Sequence, residues 1–313
     1  MIRKKQVKRK ANVYDKIRPY VYLSPALITM TLLSFLPIVY TIYIAFTNQN
    51  INHLYDYHFV GLQNFRDILT GPFKTIFLPV FSWTLICATI STLGCYIIGL
   101  IFALVLNNPN MKESVIYKGL LIIPWALPAT IATLTWQGLL NETSGAINVA
   151  LQAMHIISKP VPWFSEPLAA RSGIVMANLW LGFPYMMNIC IGALSAIPDT
   201  YYEAADIDGA TKWQKFTKIT LPSITSTSLP LLISSFAFNF NNFGTAYLIM
   251  NGGPAKVGSQ YAGYTDILIS STYKLAMQYN MYNIGSALAI LIFILIGTIS
   301  AINLKMTGAF KEV

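Results

Sequence analysis

YYEAADIDGATKWQKFTKITLP, residues 201–222, separates two long apolar runs. It gathers Glu203, Asp206, Asp208, Lys212, Lys215 and Lys218 within sixteen residues of a chain that is only 11% charged. Soluble domains usually carry about 25% charged residues. Here 55% of the 313 residues are hydrophobic and the mean hydropathy is +0.54, so most of the surface must face lipid. In such a chain the charged stretch is either wet or docked on a partner.

A bilayer core about 30 Å thick needs roughly 20 apolar residues in helix. Six runs meet that length: 20–47, 80–106, 116–140, 171–196, 224–250 and 283–304. The reading is an all-α, polytopic membrane protein with six transmembrane helices. Pro25, Pro37, Pro124, Pro128, Pro184 and Pro230 fall in these runs, where neighbouring helices and water can satisfy the freed carbonyls. The domain plan is a basic cytoplasmic segment at 1–19, a transmembrane unit at 20–308 with the charged stretch at 199–222, and a tail at 309–313. The first run is too long for a cleavable signal and lacks a small-residue cleavage site close behind it.

Orientation follows the cationic side chains. With the N-terminus inside, eight Lys and Arg precede the first run, two lie at 112–118, three in the opening stretch and two at the C-terminus, out of 21. That bias places both termini and residues 199–222 in the cytoplasm. The net charge of +9 is then explained by RKKQVKRK at 3–10 as a membrane flank, with no nucleic acid implied. The outer segments, 48–79, 141–170 and 251–282, are too short for independent domains. Cys87, Cys95 and Cys190 lie inside apolar runs without metal-ligand spacing to His, and read as small buried side chains. No metal site and no catalytic constellation is expected. Trp83, Trp125, Trp136 and Trp163 fall near run ends and are expected to be interfacial anchors.

Within the charged stretch, Pro198 should end the preceding span. Thr200 and Glu203 form a T-x-x-E capping box that would start a short helix, and Asp208-Gly209 would stop it. A second helix is expected from about Thr211, with Trp213, Phe216 and Ile219 along one side, ending at Pro222. An amphipathic hairpin on anionic headgroups would suit the lysines and repel Glu203, Asp206 and Asp208. Docking on a cytoplasmic partner accommodates both signs.

Glu203-Ala204-Ala205, Asp208-Gly209-Ala210, Phe216, Ile219 and Leu221-Pro222, at these spacings, resemble the signature loop of binding-protein-dependent ABC transporter permeases. The resemblance implies the type I importer permease fold. It implies also that Glu203, Ala204, Ala205, Asp208 and Gly209 enter a groove on an ATPase subunit. FVGLQNF (59–65), NLWLGFPY (178–185), SFAFNFNNF (235–243), NGGP (251–254), AGYTDIL (262–268) and INLK (302–305) are similar to maltose/maltodextrin permeases of the MalF type. The large extracytoplasmic insertion and extra N-terminal spans of that type are not expected here.

Two helix faces carry polar groups inside the spans. Asn178, Leu181, Gly182 and Tyr185 fall at i, i+3, i+4 and i+7, and Ser235, Phe238, Asn239 and Asn242 repeat that spacing. Amides both donate and accept, which suits sugar hydroxyls, and aromatic rings can cover a pyranose face. Interhelical glue worth about 0.6–2 kcal/mol is the competing reading for any one membrane Asn. The resemblance implies that these eight positions contact an oligosaccharide. Asn241 is expected to point elsewhere and pair with a neighbouring helix.

The sequence contains no G-x-x-x-x-G-K-[ST] phosphate loop, so it is read as a non-enzyme without a cofactor of its own, ATP being bound by partners. The partners implied are a second permease subunit, two ATP-binding cassette subunits and an extracytoplasmic sugar-binding protein. The expected location is a bacterial or archaeal cell membrane. A secondary carrier or facilitator is the rival class, disfavoured because no run has an ionisable residue at its centre. A permease for another oligosaccharide or glycoside is the rival substrate.

Overall fold

The computed structural model describes residues 13–108 and 110–306. RKKQVKRK and the 309–313 tail lie outside the described residues. In chain order the helices are α1 (Val13–Met30), α2 (Leu36–Ala45), α3 (Gln63–Leu69), α4 (Lys74–Leu106), α5 (Ser114–Leu121), α6 (Ile123–Ala126), α7 (Ala129–Leu139) and α8 (Ala146–Ala153). They continue with α9 (Pro167–Ser195), α10 (Asp199–Ile207), α11 (Lys212–Lys215), α12 (Leu221–Phe240), α13 (Phe243–Met250), α14 (Leu268–Tyr273) and α15 (Tyr282–Met306). Among the described residues β-pairing is confined to one isolated bridge, Thr47 to Phe59.

Five helical stretches among the described residues are long and apolar enough to cross a bilayer: Ile17–Ala45, Lys74–Leu106, Pro167–Ser195, Lys212–Met250 and Tyr282–Lys305. The run at 116–140, expected as one span, is instead divided into α5, α6 and α7. Proline explains the division. Leu127 precedes Pro128 and is extended, with ψ 143°, because a following proline ring disfavours the helical conformation. The run at 224–250 is also divided, between α12 and α13, at Asn241 and Asn242.

The central seam joins α4 to α9. Cys87, Ser91, Cys95, Gly99 and Ala103 recur every fourth residue on α4 and are buried. Small side chains on such a stripe let helix backbones approach closely. At Gly99 a Cβ would lie 2.6 Å from the backbone nitrogen of Met187, so the contact there is nearly backbone to backbone. The cysteines are buried and free, as expected of small core residues. α12 packs across α4 and α9, and α15 packs against α2, α12 and α14. By contrast, most side chains of Ile17–Tyr43 are exposed; this first span leans on α15 and presents a long apolar surface outward.

Candidate functional site

The eight residues singled out on two helix faces line a single cavity of about 470 Å³. Asn178, Leu181, Gly182 and Tyr185 enter from α9, and Ser235, Phe238, Asn239 and Asn242 from α12 and its broken end. The cavity lies near the middle of α9, at the depth of the seam. None of its lining residues is ionisable at neutral pH.

The three asparagines also stitch helices together. The Asn178 amide donates to Ser91 Oγ at 3.3 Å, and its Oδ1 accepts from Asn242 Nδ2 at 3.1 Å. Asn239 Nδ2 donates to Thr92 Oγ1 at 3.0 Å. Ligand and glue are therefore not exclusive: these bonds fix the side chains while leaving Oδ1 of Asn239 and of Asn242 without a protein partner among the described residues. Gly182 keeps α9 against α4, since a Cβ there would lie 2.7 Å from Cys95 Sγ. Phe238 is 70% exposed, a large ring held open at the cavity rim. Asn241 does not line the cavity. It is exposed at the helix break, and the pairing expected of it is not present among the described residues.

Sequence reasoning missed the third wall. Trp125, Leu127 and Thr130, from the divided 116–140 run, line the same cavity, and the Trp125 ring stacks on Tyr185 with centroids 6.1 Å apart. The signal was present in Pro124 and Pro128, because broken helices at membrane depth are tolerated where they line a cavity. The anchor reading of the tryptophans is overturned. Trp83, Trp136 and Trp163 are only 6–8% exposed, hence inside the protein. Each ring has an internal partner: Arg171 for Trp83, Trp180 for Trp136 and the Asn148 amide for Trp163. Trp125 belongs to the cavity.

At one end of the bundle, α10 and α11 form the expected helix–glycine–helix hairpin, with two corrections. The Thr200–Glu203 capping box is absent: α10 starts at Asp199 with Pro198 as its N-cap and no side-chain cap. Thr200 is therefore already inside the first turn, where Asp199 supplies the negative charge that favours a helix start. The capping box occurs one helix later. Gln214 N–H donates to Thr211 Oγ1 at 3.2 Å, and Thr211 N–H donates to Gln214 Oε1 at 2.8 Å. Pro222, expected to end the second helix, does not. The turn Phe216–Thr220 widens to a π-helix, and Leu221 N–H donates to the Phe216 carbonyl. The wider turn makes room for a proline ring that would clash with an α-helical carbonyl four residues back, so the helix runs on into α12.

Gly209 has φ +71°, the left-handed conformation that glycine adopts without penalty, and this reverses the chain. Lys215 Nζ pairs with Asp206 Oδ1 at 2.6 Å, and the Tyr202 and Thr220 hydroxyls are 2.9 Å apart. Glu203, Ala204, Asp208 and Gly209 are exposed and Ala205 is half-buried. Glu203 and Asp208 make no side-chain hydrogen bond among the described residues.

Residues 95–306 match the family described as binding-protein-dependent transport system inner membrane component. The chain is 44% identical over 253 residues to the maltose/maltodextrin transport system permease protein MalF of Vibrio vulnificus strain YJ016, covering 79% of this chain and 48% of that protein. It is 38% identical over 311 residues to the maltodextrin transport system permease protein MalC of Streptococcus pneumoniae serotype 4, covering 95% of this chain and 71% of that protein. The chain thus spans about half the length of the MalF relatives it matches. A crystal structure of a bacterial ABC transporter involved in the import of the acidic polysaccharide alginate superposes with a TM-score of 0.77 at 21% identity, covering 95% of this chain and 98% of that one. That likeness concerns the fold.

Proposed function

The chain belongs to the family of binding-protein-dependent transport system inner membrane components, and from that premise we propose that it is one permease subunit of an ATP-driven importer for maltodextrin-like oligosaccharides. One observation carries the substrate reading: eight residues chosen from two helix faces converge on one uncharged cavity. Amide and hydroxyl groups there can bond sugar hydroxyls. Tyr185, Phe238 and the Trp125 ring offer flat apolar surface for pyranose rings. The names of the MalF and MalC relatives support the same substrate class.

In this reading the chain forms half of a pore in a bacterial or archaeal cell membrane, with both termini and the hairpin in the cytoplasm. A second permease subunit completes the pore, an extracytoplasmic binding protein delivers the sugar, and two ATPase subunits hydrolyse ATP. Glu203, Ala204, Ala205, Asp208 and Gly209 contact one ATPase. Small alanines permit close approach, and Glu203 and Asp208 have no internal bonds to give up. Motion passes inward because Lys215–Asp206 and Tyr202–Thr220 tie α10 to the continuous helix that becomes α12. That helix carries Ser235, Phe238 and Asn239 into the cavity wall, so movement of the hairpin alters the sugar contacts.

The test is uptake of labelled maltotriose by the complete complex in proteoliposomes. Tyr185→Ala and Phe238→Ala should each lower uptake about tenfold, the equivalent of one lost contact of about 1.4 kcal/mol. Glu203→Ala should uncouple ATP turnover from uptake. Unchanged uptake in both aromatic variants sinks the sugar assignment, and sugar movement by this chain without ATPase partners favours a carrier instead.

A further inference from the structure

The segment 262–268 does not line the cavity, yet its polar groups bond to several helices. The Trp83 indole N–H on α4 donates to the Thr265 carbonyl at 3.3 Å, and Leu268 N–H donates to Thr84 Oγ1, also on α4, at 2.9 Å. From α9, Arg171 Nε–H donates to the Tyr264 carbonyl at 2.9 Å, while its guanidinium lies 4.5 Å from the centre of the Trp83 ring. The turn that ends α13 is held by the Thr265 hydroxyl, which donates to the Gly253 carbonyl at 2.5 Å.

At the centre is a buried ion pair. Asp266 Oδ2 accepts from Lys274 Nζ at 2.8 Å and from Gly263 N–H at 2.8 Å, and Oδ1 accepts from Ser270 Oγ at 2.8 Å. Lys274 Nζ also donates to the Asn251 carbonyl at 2.6 Å, so the pair reaches the C-terminal end of α13. The turn can come this close only because residue 252 is glycine. Its φ is +74°, and a Cβ there would fall 2.1 Å from Asp266 Oδ1. Burying an ion pair costs desolvation that only close geometry and additional hydrogen bonds offset. The pair itself bonds to Gly263, to Ser270 on α14 and to the end of α13 at Asn251, while the neighbouring Tyr264, Thr265 and Leu268 bond to α4 and α9. α4, α9 and α13 all line the cavity, through Cys95, through Asn178, and through Gly244, Thr245 and Leu248.

We propose that Asp266 and Lys274, with the segment Ala262–Leu268, form a positioning clamp that holds α13 against α4 and α9 and so sets the width of the cavity at the end opposite the hairpin. α12 lies outside the clamp, separated from α13 by the break at Asn241 and Asn242. The clamp therefore divides the cavity wall into a fixed part and a part moved through the hairpin. The inference rests on reading the cavity as a solute site, and its test is chosen to fail separately from that reading.

Cys95 lines the cavity, whereas Cys190 is buried in a different cluster with Ala103, Met187 and Leu194. The experiment labels the full complex in membranes with N-ethylmaleimide and quantifies each cysteine by peptide mass spectrometry. Labelling of a buried thiol tracks local opening. Lys274→Met should speed Cys95 labelling about tenfold and leave Cys190 within about twofold, and Lys274→Arg should restore the native rate. An unchanged Cys95 rate overturns the clamp, as does a parallel rise at Cys190, which would mean general loosening. If Lys274→Met fails to assemble, Trp83→Phe removes the indole bond to Thr265 while keeping an aromatic ring beneath Arg171; it should raise the Cys95 rate about threefold, and a native rate overturns the clamp. In the native complex maltotriose should slow Cys95 labelling. Loss of that protection counts against the sugar reading and leaves the clamp standing.

Discussion

The hairpin at 199–220 and the clamp at 251–278 close opposite ends of the same helices and are built in opposite ways. The hairpin holds most of the charge in its neighbourhood but only one internal ion pair, Lys215–Asp206, and Asp206 is 63% exposed. The clamp commits a single Asp–Lys pair, with the Asp266 side chain fully buried and backbone, hydroxyl and ammonium groups all bonded to it. Charge density therefore does not mark the residues that hold this molecule together; the number of internal partners does. Groups with few partners, such as Glu203, are the ones free to meet another chain.

The largest effect that would break the comparison is on stability. Asp266→Ala strands a buried ammonium and should cost about 3–5 kcal/mol, whereas Asp206→Ala at the exposed pair should cost less than about 1 kcal/mol. Denaturant titrations in mixed micelles measure both, and equal losses would erase the distinction. Next, Gly209→Ala should cost about 1–2 kcal/mol through its left-handed backbone alone, since nothing else lies within 4 Å of the added carbon. Hydrogen exchange should show the loss confined to the hairpin, and a loss spreading into α9 would show that the hairpin is structural after all.

The smallest effect concerns pH, at Glu142 on the same side of the bundle as the clamp. The Ser165 hydroxyl holds the Glu142 carboxyl below the usual glutamate range; burial opposes it less strongly, and the backbone N–H groups of Phe164 and Ser165 add smaller lowering effects. A folded-state pKa below the unfolded one stabilises the protein at neutral pH. That contribution begins to fade near the ordinary value of 4.5 and is lost as pH falls through the folded value. Glu142→Gln should remove this acid-side slope, and a slope unchanged in a pH series of unfolding curves would refute the assignment.

Much of this was legible without coordinates. Asn178 and Tyr185 sit seven residues apart on α9, and Ser235 and Asn239 four apart on α12, and a helix must bring such positions to one face whatever surrounds it. Asn242 lies past the break, so its place in the cavity was not fixed by that period. The turn at Gly209 was equally local. Trp125 was not legible, because its place depends on how a broken helix from elsewhere in the chain packs against α9. The capping box was assigned one helix too early for a related reason: Thr200 and Thr211 both carry the right residue three positions on. Only the conformation of Pro198, extended at the exit from α9, puts the helix start before Thr200.

By itself the sequence determined that the chain is helical and crosses lipid, which two faces carry uncharged polar groups, and where a charged hairpin interrupts the apolar runs. Each of these follows from composition or from contacts within about one helical turn. The tertiary structure alone decided that the two faces look into one cavity, that Trp125 completes it, and that Asp266 and Lys274 are buried partners. Those facts come from packing between residues far apart in the chain, and periodicity along one helix carries no information about which helix lies opposite.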